Sequence, residues 1–197
     1  MIERPTLIIM AKAPRLGHGK SRLARDIGRV EAWRINRRFN ARTLRAALDP
    51  RWRSVLCVAP DRALALDLPG VWPHALPRIA QGHGDLGARM ARALKQHRLV
   101  AMIGTDCPGL SHRHIATAFQ ALRRKPFVLG PTHDGGFWII AARRGADAAQ
   151  AMAGVRWSTQ HAAQDVIANL GRERMALIAT LQDVDSAADL SAFSAKR

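Results

Sequence analysis

The chain of 197 residues has no tyrosine, and phenylalanine and tryptophan together make up only 5% of it. The aromatic platforms on which single-stranded nucleic acids stack are therefore poorly supplied. Cysteine is almost as scarce, and Cys57 and Cys107 alone make no disulfide framework. Cys107 follows Asp106 with no evident base beside it, so it reads as a small semi-buried thiol and not as a nucleophile. No charged-then-apolar leader and no long apolar run occurs, which predicts a soluble, cytoplasmic protein without a membrane span. Acidic residues are few, 15 against 31 lysines and arginines, for a formal charge of +16. The basic residues are scattered among alanines and never form a block of five or six, so nucleic-acid binding is not the expected role of this charge.

With 48% hydrophobic residues, no internal repeat and no linker, one domain spanning residues 1–197 is expected. Short apolar runs alternate with helical patterns, the signature of an α/β fold built on parallel strands with crossover helices. Strands are expected at Thr6–Met10, Ser54–Ala59, Val100–Ile103, Phe127–Leu129, Phe137–Ala141 and Ala176–Leu181. Helical spacing covers Val30–Leu48 and Asp85–His97, and Ser111 can cap a helix reaching Arg124. Ser158 or Thr159 can start a helix that Gly171 stops, and Ser186 with Asp189 has capping-box spacing for a short final helix. The proline- and glycine-broken stretch from Pro60 to Arg78 predicts only short elements.

In an open α/β sheet, ligands sit beyond the carboxyl ends of the strands. Lys12, Arg15, Lys20 and Arg22 lie on a glycine-bearing loop after the first strand, Asp106 follows the central one, and Asp134 and Asp185 follow later ones. A basic loop at a helix entrance can hold a polyphosphate, and isolated carboxylates can hold a hard divalent cation that bridges phosphate oxygens. Gly19-Lys20-Ser21 also matches the end of a P-loop, but Pro14 stands where its first glycine belongs and has no N–H to offer. His112 and His114 are two apart on a helix and face apart, while His18, His83 and His133 read as ordinary loop residues, so a zinc site is not expected. The five tryptophans form no helical stripe and read as packing residues, with Trp157 the exception.

Ala11-Lys12-Ala13-Pro14, Lys20-Ser21-Arg22-Leu23, Gln81 with Gly84-Asp85-Leu86-Gly87-Ala88-Arg89-Met90, Gly104-Thr105-Asp106-Cys107-Pro108, Gly130-Pro131 with Asp134-Gly135-Gly136, Trp157-Ser158-Thr159 and Asp183-Val184-Asp185 occur in order along nearly the whole chain. Jointly they resemble a bacterial family of glycosyltransferase-like proteins, formerly a domain of unknown function. That family is related to the molybdenum-cofactor guanylyltransferases and to 2-phospholactate guanylyltransferase. The resemblance implies a three-layer α/β/α, mostly parallel GT-A fold, that of nucleotide-diphospho-sugar transferases. By the same resemblance, Lys12, Ala13, Arg15, Lys20 and Arg22 would face the nucleotide's phosphates and sugar, and Gln81 and Gly84 its base. Asp106 and Asp185 would hold Mg2+ or Mn2+, with Lys20, Arg22 and Asp106 as the catalytic set. Asp134, Gly135, Gly136 and Trp157 would border the transferred or accepting group.

Three departures from the family pattern stand out. Leu16 replaces a common proline, Phe137-Trp138 replaces tyrosines, and Asp106-Cys107-Pro108 has one carboxylate where Asp-x-Asp has two. Two reactions suit such a site: transfer of a glycosyl group from a nucleotide sugar to a small-molecule acceptor, or transfer of a nucleotidyl group from a nucleoside triphosphate with release of pyrophosphate. The resemblance ranks glycosyl transfer first, whereas the number of cations on the first loop suits a triphosphate. A non-catalytic nucleotide- or nucleic-acid-binding protein is the remaining alternative.

Overall fold

The computed structural model describes residues 4–195. Its centre is strand β1, Thr6–Lys12, an apolar run buried on both faces. Side chains alternate across a strand, so Leu7 and Ile9 enter one core and Ile8 the other. Strand β1 pairs in parallel with β2 (Arg53–Ala59) and β4 (Val100–Ile103), and β2 pairs in parallel with the short β3 (Arg78–Ala80). The sheet continues through β6 (Phe137–Ala142), β5 (Phe127–Pro131) and β7 (Met175–Leu177), in the order β3-β2-β1-β4-β6-β5-β7. Strand β6 is antiparallel to both neighbours, which makes the sheet mostly parallel, as expected. The mixed three-layer α/β/α class is as expected.

Helices α2 (Arg29–Ala47) and α4 (His112–Ala121) cover one face through Leu44, Ala47, Ile115 and Ala118. Helices α3 (Leu86–Leu94), α5 (Gly145–Gln150) and α6 (Ala162–Leu170) cover the other through Met90, Leu94, Ala148 and Val166. A third cluster joins α1 (Ser21–Ile27), α2 and α7 (Ala187–Ala195) around Leu23, Ile35, Phe39 and Val184. No helix among the described residues is long and apolar enough to cross a membrane.

Several boundaries differ from the sequence reading. Gly28, at φ 85°, separates α1 from α2; helical periodicity alone did not isolate the seven-residue α1. Strand β3 and a 3-10 turn at Asp61–Ala65 occupy the broken segment, and α5 was not anticipated. Helix α6 starts at Ala162 because Ser158 is held in a left-handed turn and the Thr159 hydroxyl accepts from His161 N–H. The last strand ends at Leu177, with only a bridge from Thr132 to Leu181 beyond it. The capping box read at Ser186 holds, with Asp189 accepting from Ser186 N–H at 2.9 Å, and Asp85 adds a cap not read from the sequence by accepting from Ala88 N–H at 2.8 Å.

The segment before α6 is fastened to it by Arg156, whose backbone N–H and guanidinium donate to Asp165 at 2.6–2.9 Å. These side-chain hydrogen bonds hold the Asp165 carboxyl down at about 2. An acid depressed in the folded state contributes stability above its unfolded value, and that contribution is lost as pH falls through the folded value. Thermal melts of Asp165→Asn are therefore expected to run a few degrees below wild type at pH 7, with the gap closing between pH 4 and pH 2.

Candidate active site

The parallel strands β1, β2, β3 and β4 all open at the same edge, and the loops after them form the site. The first loop runs from Ala13 to Lys20 over Gly17 and Gly19, whose φ values of 78° and 75° favour glycine. Trp33 of α2 fastens it by donating its indole N–H to Pro14 O at 2.8 Å. Lys20 itself adopts the left-handed conformation, φ 50°, ψ 40°, immediately before α1, a strained state that persists only when surrounding contacts hold it.

Those contacts are specific. The Lys20 ammonium donates to Val184 O at 2.6 Å and to Asp185 Oδ1 at 2.8 Å, and it lies 2.6 Å from Asp106 Oδ1. Its side chain is 5% exposed, whereas Asp106 and Asp185 are 56% and 36% exposed. The cation thus lies beneath two carboxylates that still face outward. Burial alone would lower the Lys20 pKa, but the charges and hydrogen bonds of Asp106 and Asp185 outweigh it and raise it. Arg22 reaches Asp185 only at 3.8 Å and is largely exposed, a contact that contributes little.

Burial of one residue sets the position of the acids on the last loop. Val184 is fully buried among α1, α2 and α7 and donates its N–H to Asp106 O at 3.0 Å, so Asp183 and Asp185 flank an anchored residue. Burial and the neighbouring Asp134 raise the Asp183 carboxyl to about 6. Cys107 lies below, and burial together with Asp106 pushes its thiol well above the usual range, which leaves it a neutral packing group. Among the described residues no three His, Cys, Asp or Glu side chains are grouped to hold a metal; Asp106 and Asp185 are a pair.

Beside this pair, a cleft of about 560 Å³ is lined by Lys12, Ala13, Arg15, His18, Gly19, Asp61, Arg62, Gly82, His83 and Arg89, among others. Lys12, Ala13 and Arg15 therefore line one cleft together. Gln81 is buried, and its amide donates to Cys57 O and Ala11 O, which ties β3 to β2 and β1. Gly84 is at φ 98° on a loop that Arg92 holds through Gln81 O and His83 O. Arg89 secures the same loop through Gly84 O.

The turn between β5 and β6 faces the same edge. Asp134 accepts from Thr132 Oγ1 at 2.6 Å and from Gly136 N–H at 2.9 Å, so one of its oxygens closes the turn. Trp157 packs edge-on against Phe137, ring centroids 6.2 Å apart, and over Gly87, where its indole takes the space a Cβ would need. The structure thus brings together Lys20, Arg22, Asp106 and Asp185, sets Lys12, Ala13 and Arg15 in the adjoining cleft, and puts Asp134, Gly135, Gly136 and Trp157 on a separate wall. Sequence reasoning missed Trp33, Asp61, Asp183, Arg89 and Arg92. Only the acid in Asp183-Val184-Asp185 had a signal, the alternation of charge about an apolar residue.

Gly135 sits at φ 86°, and a Cβ there would collide with the backbone carbonyl of Gln160. A backbone obstacle cannot rotate away, so Gly135→Ala is expected to cost about 2 kcal/mol or more. Chemical denaturation would measure this, and a loss below half that size would show that the wall is looser than described.

Known proteins share this architecture. A Desulfovibrio desulfuricans G20 structure designated a nucleotide-diphospho-sugar transferase superposes with a TM-score of 0.86 at 24% identity, covering 98% of this chain and 87% of the other. The 4-diphosphocytidyl-2C-methyl-D-erythritol synthase of Anaerococcus prevotii DSM 20548 gives 0.65 at 12% identity, covering 98% and 96%. Glucosyl-3-phosphoglycerate synthase of Mycobacterium tuberculosis, solved with Mn2+, UDP and glucosyl-3-phosphoglycerate, gives 0.54 at 10% identity, covering 96% and 75%. No curated protein matches the chain in sequence. These likenesses establish the GT-A, nucleotide-diphospho-sugar transferase fold and set the P-loop reading aside. Residues 43–159 match a family described as an uncharacterized protein conserved in bacteria, DUF2064, a span that contains Asp106 and the Asp134 turn, and the chain belongs to that family.

Proposed function

We propose that the protein is a nucleotide-using transferase whose reaction is nucleotidyl transfer: an acceptor oxygen attacks the α-phosphorus of a nucleoside triphosphate, and pyrophosphate leaves. The observation that carries this reading is the convergence of Lys20 with Asp106 and Asp185 beside a cleft lined by Lys12, Arg15, Arg62 and Arg89. So many cations suit a triphosphate better than the diphosphate of a nucleotide sugar. Structures of this fold designated cytidylyltransferases and nucleotide-diphospho-sugar transferases support the reading.

The donor set also fits a divalent cation. Asp106 Oδ1 and Asp185 Oδ1 already converge on one positive charge, the Lys20 ammonium, and carboxylate oxygens are the ligands that Mg2+ and Mn2+ take. Asp106 and Asp185 would hold it, and when bound it would supply positive charge that offsets that of the phosphates. Lys12 and Arg15 would hold the β- and γ-phosphates in the cleft, while Arg22, exposed beside Asp185, would meet the charge that develops on the leaving pyrophosphate. Fixed cations already aimed at that charge need no reorganisation as the reaction proceeds, so positioning and electrostatics supply the acceleration. Asp61, the only acid lining the cleft among the described residues, accepts from Gly82 N–H and would meet a nucleobase bound beside it.

The second reading, glycosyl transfer from a nucleotide sugar, is favoured by the apolar wall of Phe137 and Trp157 beside the Asp134 turn, since sugar faces pack on aromatic rings. Thermal-shift titration with the four nucleoside triphosphates and with UDP- and GDP-sugars, each with Mg2+ or Mn2+, separates the two. Stabilisation by a triphosphate, with pyrophosphate released on addition of acceptor, is expected; stabilisation by nucleotide sugars alone would transfer the assignment to glycosyl transfer. Asp106→Asn is expected to lower turnover at least 100-fold while the nucleotide still binds. Unchanged turnover would remove Asp106 from the catalytic set.

A further inference from the structure

Lys20 donates to Val184 O and Asp185 Oδ1 and forms an ion pair with Asp106 Oδ1 at 2.6 Å. Its ammonium is thus engaged by the protein itself, although a phosphate contact is the role expected of this lysine. The two carboxylates it holds are also the pair that would take a divalent cation. We infer that Lys20 is a built-in counter-ion of Asp106 and Asp185, and that its ammonium and a divalent cation occupy this pair alternately. Metal therefore binds poorly to the free protein and well only when polyphosphate draws Lys20 away. The inference rests on the nucleotide-using reading for the event that releases Lys20, but the competition between ammonium and metal needs no nucleotide.

Three features of the structure support the alternation. The ammonium is buried while both carboxylates face outward, so a ligand approaches the acids from the side away from the lysine. Among the described residues no third acidic, histidine or cysteine ligand completes a metal site, so a cation entering without phosphate would face two carboxylates already neutralised by one positive charge. The lysine backbone is held in the left-handed region, a conformation of higher energy for a residue with a Cβ, and its release lets that strain relax. With Lys20 in place, a divalent cation would have to sit within a few ångströms of an ammonium in a partly dehydrated site, where like charges repel strongly.

Binding of Mn2+ alone, followed by electron paramagnetic resonance, tests the competition. Lys20→Met is expected to bind Mn2+ about tenfold or more tightly than wild type without any nucleotide, and Lys20→Arg to stay near wild type. Equal or weaker Mn2+ binding by Lys20→Met would overturn the inference, as would wild type binding Mn2+ as tightly alone as with tripolyphosphate. If Lys20→Met does not fold, the 15N ammonium resonance of Lys20 in the wild-type protein gives the answer. It should be protected from exchange in the free protein and should shift on addition of Mg2+ with tripolyphosphate, but not with Mg2+ alone. A resonance unmoved by both additions would exclude the alternation. A positive Mn2+ result with a response to tripolyphosphate but to no nucleoside triphosphate would keep the inference and remove the nucleotidyl reading instead.

Discussion

The contact on which the site depends is a single ammonium ion shared by two loops far apart in sequence. Lys20 stands at the entrance of the first helix, Asp106 at the end of the fourth strand and Asp185 near the carboxyl end. No sheet hydrogen bond links the first loop to the last. The lysine makes that link, and a strained backbone at position 20 is tolerated because three acceptors hold the side chain. A buried charge with one partner would be expensive, but a carbonyl and one carboxylate accept its hydrogen bonds and a second carboxylate pairs with its charge.

The sheet supplies the rigid frame under this cluster. Parallel pairing of β1 with β2 and β4 brings Lys12, Ala59 and Asp106 to one edge without any side-chain design, because all three strands run the same way. Val184 supplies the other constraint. Its burial among α1, α2 and α7 fixes a segment that has no strand of its own, and its N–H and carbonyl tie that segment to Asp106 and Lys20. A hydrophobic residue thus positions the acids on either side of it.

The frame was legible in the sequence because it follows from period and burial. Apolar runs gave β1, β2, β4 and β6, and Ser111 and Ser186 with Asp189 announced their helices by cap chemistry. The acids and cations of the site were legible as types placed after strands, and the family resemblance added their joint order. The partner of each was not. Lys20 looks like a phosphate ligand on a loop, and only the three-dimensional return of residues 183–185 shows that its donors are already taken. Gln81 looks like a base reader, yet its burial turns its amide toward the carbonyls of Ala11 and Cys57. Trp33, Arg89 and Arg92 sit on helices at ordinary surface spacing, so nothing local shows that they fasten loops. Helix α1 was hidden because its seven residues bury a single side chain, Leu23, and so show no helical period.

Strand β6 runs against its neighbours, and this divides the molecule's capacity for change. The half built from β1 to β4 carries the cationic cleft, whereas the β5–β6 turn belongs to the other half, which meets the first along β4 and β6 and through Trp157 and α5 against α3. Mutations that lengthen or reshape the turn at residues 132–136 can alter what is presented to the acids while leaving the cleft as it is. A lineage carrying this fold can thus vary one loop surface while conserving the other.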